Sequence, residues 1–161
     1  MRHPASTDDV WEISVRVEPE QGILKVGFVL EGDLDRITLP KTGPVRRGNK
    51  LWQHTCFEIF VSSGMPAYRE FNFSPSGEWA GYAFRRYREA ETSDLSVRSV
   101  SVRRSEEKLE LDASIPAPEG RLAIAISAVV ESKSGALSYW AVKHPPGKPD
   151  FHHPDSFAIE L

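Results

Sequence analysis

Apolar and polar residues alternate with a period of two along most of the chain, in short runs broken by turn residues. Successive side chains of a strand point to opposite faces, so this alternation predicts half-buried strands rather than helices. In VWEISVRV (10–17), Trp11, Ile13, Val15 and Val17 fall on one face; in ILKVGFVLEG (23–32), so do Leu24, Val26, Phe28 and Leu30. The intervening PEQG makes the two a hairpin. DRITLPKTGPVRRGNK (35–50) is punctuated by Pro and Gly and reads as an irregular connection, and SSGMPA (62–67) reads as a loop. YREFNFSPSGEWAGYAFRRYRE (68–89) gives two strands around SPSG. LSVRSVSVRR, KLELDASIP, RLAIAISAVVES, ALSYWAVKHPP and SFAIEL supply the remaining strands. RLAIAISAVVES is the most apolar and is expected inside a sheet. RRYREAETSDL (85–95) is the one candidate for a short helical turn. About nine short strands without alternating helices predict an all-β, antiparallel two-sheet β-sandwich of jelly-roll type.

Two of these strands carry more chemistry than a sheet needs. KLWQHTCFEIFV (50–61), read as one strand, places Leu51, Gln53, Thr55, Phe57, Ile59 and Val61 on a core face, and Trp52, His54, Cys56, Glu58 and Phe60 on the other. In the next strand Glu70, Asn72 and Ser74 share the face opposite Phe71 and Phe73. Consecutive strands commonly pair, so these polar faces would join. Aromatic plates with carboxylate, amide and imidazole groups suit a sugar, whose C–H face stacks on a ring while its hydroxyls need acceptors and donors. An ordinary solvated sheet face has the same residue types, and both readings stand at this point. On a straight strand Trp52 and Glu58 would lie roughly 20 Å apart, so one site holding both requires a bend, a bulge or a ligand longer than one ring.

Bulk properties narrow the classes. A chain of 161 residues is the size of one domain, taken as residues 10–161 behind a flexible segment 1–9. A net charge of −3 provides no field toward nucleic acid or an anionic membrane, and neither is expected as a partner. Cys56 is the single cysteine, which excludes an internal disulfide or thiolate zinc cluster. The start, MRHPASTDDVWEISV, has no apolar signal core and no long apolar run follows, so a cytoplasmic location is expected. WAVKHPPGKPDFHHPDSF (140–157) gathers His144, Asp150, His152, His153 and Asp155 among four prolines. Its spacing is not that of a metal site, and the expectation is a loop held to the sheet by hydrogen bonds, with no metal and no cofactor. Arg85, Arg86 and Arg88 form a basic run that reads as a solvated face. No G-x-S-x-G, phosphate loop, H-E-x-x-H or dinucleotide fingerprint occurs. Glu58 with Glu70 or Asp150 could form a glycosidase pair, though nothing selects them for it.

The stretches LWQHTCFEIFV, YREFNFSPSGEWAGYAFRRYR and YWAVKHPPGKPDFHHPDSF together resemble bacterial DOMON-like domains related to family 9 carbohydrate-binding modules, over residues 10–161. The resemblance implies a β-sandwich with a ligand site on one sheet, taking sugars or, in a cytochrome branch, haem. In the carbohydrate branch two tryptophans clamp a sugar ring and a glutamate six residues after the first takes hydroxyls. Trp52 and Glu58 match that pair, and Trp140 matches the second tryptophan by its place in a late strand. The amide that usually precedes it is absent from GALSYW. The haem branch uses methionine and histidine, and Met65 is the internal methionine available. The expected function is thus a non-catalytic module for a saccharide or sugar-like metabolite, with Trp52, His54, Glu58, Glu70, Asn72, Trp140 and His144 as its ligand-binding residues. A haem or metal protein and a small sugar-directed enzyme are the alternatives.

Overall fold

The structure, a computed structural model, describes residues 1, 3, 9–91 and 95–161. Twelve strands are present among them: β1 (Val10–Glu20), β2 (Ile23–Gly32), β3 (Arg46–Arg47), β4 (Cys56–Gly64), β5 (Ala67–Phe73), β6 (Glu78–Arg86), β7 (Glu89–Glu91), β8 (Ser99–Arg104), β9 (Lys108–Pro116), β10 (Ala123–Glu131), β11 (Leu137–Ala141) and β12 (Ile159–Glu160). They form two sheets. The smaller has the order β1-β2-β9-β8, and the larger β11-β10-β4-β5-β6-β3, with β12 also on β10 and β7 also on β6. The chain is therefore an all-β sandwich, antiparallel except where β3 runs parallel to β6. β3 and β7 are two and three residues long; runs so short carry no readable alternation, which explains why neither was expected from sequence, whereas the equally short β12 lies in the SFAIEL run.

The alternation in β2, β9 and β4 turns Leu24, Val26, Phe28, Leu30, Leu109, Leu111, Ile115, Phe57, Ile59 and Val61 into one core between the sheets. Phe28 and Phe57 stack across it with ring centroids 4.9 Å apart. β10 lies inside the larger sheet as expected, between β4 and β11. The SPSG turn closes through Gly77 at φ +95°, a conformation suited to glycine, with its N–H donating to the Ser74 carbonyl.

Three expectations are corrected. Residues 50–55 precede the strand rather than belonging to it, and β4 begins at Cys56. Trp11 is exposed, because a bulge between Val10 and Glu12 turns it away from the face shared by Ile13, Val15 and Val17. Residues 85–91 finish β6, turn at Tyr87 and Arg88 and form β7, so no helical turn occurs there; 92–94 lie outside the described residues. Of the N-terminal segment, residues 2 and 4–8 lie outside them too. Met1 and His3 sit against β11, where the His3 N–H donates to the Tyr139 carbonyl and the Ala141 N–H to that of Met1.

The larger sheet is covered on both faces. Its outer face carries a second apolar cluster of Phe60, Tyr68, Phe84 and Ala125, on which Tyr82, Phe151 and Phe157 pack. This cluster draws the C-terminal loop, residues 142–158, down onto the sheet. Every residue of β4 from Cys56 to Ser62 is consequently buried, whichever face it points to.

Candidate functional site

The entry to β4 decides where Trp52 goes. Lys50 takes a left-handed backbone, φ 52°, and Leu51–Gln53 form a single 3-10 turn closed by Gln53 N–H to the Lys50 carbonyl and His54 N–H to that of Leu51, both 3.2 Å. The buried Thr55 then fixes the chain: its hydroxyl donates to the Thr38 carbonyl and accepts from the Glu131 N–H, each at 3.0 Å. The turn folds the Trp52 ring back over the outer face of the sheet, edge-on to Tyr82 at 6.1 Å. Trp52 and Glu58 thus line one cavity, and the long separation expected of a straight strand does not arise.

That cavity measures about 610 Å³, within the range of small-molecule sites. Glu58, Glu70, Val129, Tyr82 and Phe84 rise from the sheet, joined by Leu137 and Tyr139 of β11; Trp52 comes from the turn before β4, Arg88 from the β6–β7 turn, and Pro149, Phe151 and His152 from the C-terminal loop. Register sets the floor. Glu58 lies opposite Ser127 on β10 and Asn72 on β5, while Glu70, two residues before Asn72, lies opposite Tyr82 on β6. The two glutamates are therefore diagonal neighbours on adjacent strands.

Both are buried, at 3% and 5% exposure. Glu58 accepts a hydrogen bond from the Ser127 hydroxyl at 3.1 Å. Burial, reinforced by the charge of Glu70, pushes its carboxyl up to about 8 against that bond. Burial raises Glu70 to about 7, with Asn72 and Arg88 opposing the rise. Asn72 is fully buried, approaches Glu70, and meets no partner at hydrogen-bonding geometry on either amide atom.

The loop wall is fixed by a relay. The Arg88 backbone N–H donates to the Tyr68 hydroxyl at 3.1 Å, leaving the hydroxyl proton for His152 Nδ1 at 2.9 Å. His152 Nε2 then carries the proton and faces Glu70 Oε2 at 3.6 Å. Burial and the nearby Arg88 lower His152 to about 4, so the ring is neutral at physiological pH. Asp150 pairs with the Arg88 guanidinium at 2.9 Å and accepts from the Tyr87 hydroxyl and the His152 N–H. Asp150 and His152 do hold the tail against the sheet. Arg85 and Arg86 are paired as well, with Glu89 on β7.

Of the residues picked from sequence, the structure brings together Trp52, Glu58 and Glu70 around the cavity, with Asn72 buried in the row beside Glu58. It does not bring Trp140, His54 or His144 there. Trp140 points into the core and donates through Nε1 to Ser138 Oγ at 3.1 Å; its neighbour Tyr139 faces the cavity instead. His54 turns outward to Glu131 at 2.8 Å. His144 lies 2.9 Å from the Met1 carbonyl and edge-on to His3. Met65 lines a separate groove with Arg121 and Leu161. Sequence reasoning missed Tyr82, Phe84, Arg88, Tyr139, Phe151 and His152 as cavity residues; only Tyr139, through its parity with Trp140, carried a usable signal.

No protein-family model matches the chain, and no curated protein matches it. Among solved structures the fold matches the crystal structure of a proposed carbohydrate-binding protein from Bacteroides uniformis ATCC 8492, with a TM-score of 0.63 at 16% identity, covering 98% of this chain and 84% of that one. At such identity the likeness is one of fold.

Proposed function

We propose that the protein is a non-catalytic binding module that takes a saccharide or sugar-like metabolite in the cavity on the outer face of its larger sheet. One observation carries the reading: Trp52, Tyr82, Tyr139 and Phe151 converge with the carboxyls of Glu58 and Glu70 around a single cavity. The rings offer stacking surfaces for the C–H faces of a pyranose, and the carboxyls offer acceptors for its hydroxyls. The resemblance to DOMON-like and family 9 carbohydrate-binding domains supports it, as does the fold shared with the Bacteroides protein.

The test is a thermal-shift screen against neutral mono- and oligosaccharides, uronic acids and amino sugars, followed by calorimetry on any hit. A hit should raise the melting point and lose affinity in Trp52→Ala. If no sugar raises it, or if Trp52→Ala and Glu58→Gln bind the hit as tightly as the wild type, the proposal is wrong.

A further inference from the structure

We infer that the ligand of this cavity carries a protonated primary amine, as an amino sugar does, seated over the floor between Glu58 and Glu70. The inference rests on the saccharide reading and adds a charge to it. Buried carboxylates are ordinarily paired. Among the described residues neither glutamate has a Lys or Arg nitrogen in ion-pair contact: Glu58 has Ser127, and Glu70 has the neutral His152 at 3.6 Å. Arg88, the one cationic side chain on the cavity among the described residues, is committed to Asp150 and to the ring and hydroxyl of Tyr87. Among the described residues the floor therefore holds two acidic groups side by side with no cation in ion-pair contact, and the Arg88 charge reaches Glu70 only from a distance.

A second observation points to the same missing group. Asn72 is wholly buried beneath this face, directly across from Glu58, and approaches Glu70 without either amide atom reaching hydrogen-bonding geometry. Buried amides left unsatisfied are rare and call for an explanation. An ammonium has three N–H donors in a compact head, and Glu58 and Glu70 present carboxyl acceptors to the cavity from adjacent strands. The aromatic walls suit an organic cation too, because ring faces attract it. A neutral sugar offers hydroxyl donors to the carboxyls but no charge to offset theirs.

Calorimetry on the intact protein separates the possibilities. Glucosamine and its β-1,4 disaccharide are the amine probes; N-acetylglucosamine, glucose and cellobiose are neutral probes of the same skeleton; cadaverine is an amine without a sugar. The amine sugars should bind at least about tenfold more tightly than their neutral counterparts, and Glu58→Gln and Glu70→Gln should each lose at least about tenfold. Titration of the wild type near pH 6.5, where the sugar amine is already protonated, in two buffers of different ionisation heat should show proton release with the amine sugars, because an ammonium favours the ionised pair. This readout needs no variant. The other groups facing the pair are Cys56, Tyr68 and Tyr82, which burial raises, Arg88, and His152, already neutral, so release near neutrality reports on the glutamates. Neutral sugars binding as well as the amines, or amine binding without proton release, overturns the inference and leaves the saccharide reading intact. Cadaverine binding with no sugar binding keeps the ammonium site and overturns the saccharide reading; no binding by any probe overturns both.

Discussion

Replacing Glu58 by Gln should make the ligand-free protein more stable in alkaline solution. Glu58 is 3% exposed and its carboxyl is pushed up to about 8 from an ordinary 4.5. A group whose pKa is higher in the folded chain than in the unfolded one contributes stability that is complete below the unfolded value and is lost as pH rises through the folded value. The window for Glu58 is thus about pH 4.5 to 8. At about 1.4 kcal/mol for each unit, the whole difference is worth roughly 5 kcal/mol above that window, an upper limit once side-chain relaxation and shared titration with Glu70 are allowed for. Glutamine has the same shape, its carbonyl can accept from Ser127, its amide has the unmet Asn72 carbonyl across the strand, and it never ionises. At pH 9 the variant should exceed the wild type by about 2–5 kcal/mol, or roughly 5–15 °C in melting temperature for a domain of this size. Melting curves and urea titrations from pH 5 to pH 9 test this: the wild-type curve should fall with pH and the variant curve should stay flatter. Curves that run parallel across the window would show that water reaches the carboxyl, and the burial argument would fail.

The two tryptophans picked from sequence should separate cleanly. Trp140→Ala removes a core side chain and should cost about 3–5 kcal/mol, whereas Trp52→Ala should cost about 1 kcal/mol or less, because Trp52 is 43% exposed; chemical denaturation distinguishes them. His152, lowered to about 4, should weaken the fold as pH falls from about 6.5 through about 4, since the unfolded chain takes up that proton first. His152→Gln should flatten that acid limb in a pH series of melts. Ser127→Ala removes the bond that opposes the rise of Glu58, so the glutamate should titrate higher still, as read by carbon NMR of its side-chain carboxyl.

Where one face of a strand packs on the core and the other meets solvent, the fold was legible from alternation: Leu109, Leu111, Ala113 and Ile115 alternate with half-buried or exposed positions along β9. The same rule assigned Glu58, Glu70 and Asn72 to one face, because parity within a strand does not depend on what covers it. It failed at Trp52 and His54, where Lys50 takes a left-handed backbone that neighbouring residue types do not signal. Parity set Tyr139 against Trp140 but could not say which face was the core. Tyr68 and His152 meet across 84 residues of chain, a pairing fixed by tertiary packing alone.

The outer face of the larger sheet explains why the site is both buried and polar. An antiparallel sheet in a sandwich commonly has one dry face and one wet face, and polar residues on the wet face need no partners beyond water. Here Phe60, Tyr68 and Phe84 make the outer face apolar at one end and hold the C-terminal loop over it, through ring contacts with Phe157 and His152. The loop reaches Glu70 through His152, and the gap left between loop, Trp52 and Tyr139 is the cavity. Its polar floor is thereby desolvated without being filled, which raises both carboxyls and leaves Asn72 unmet. Because the Tyr68–His152 and Arg88–Asp150 contacts already fix the loop wall, a ligand meets walls that need little ordering, and more of its contact energy is left for affinity.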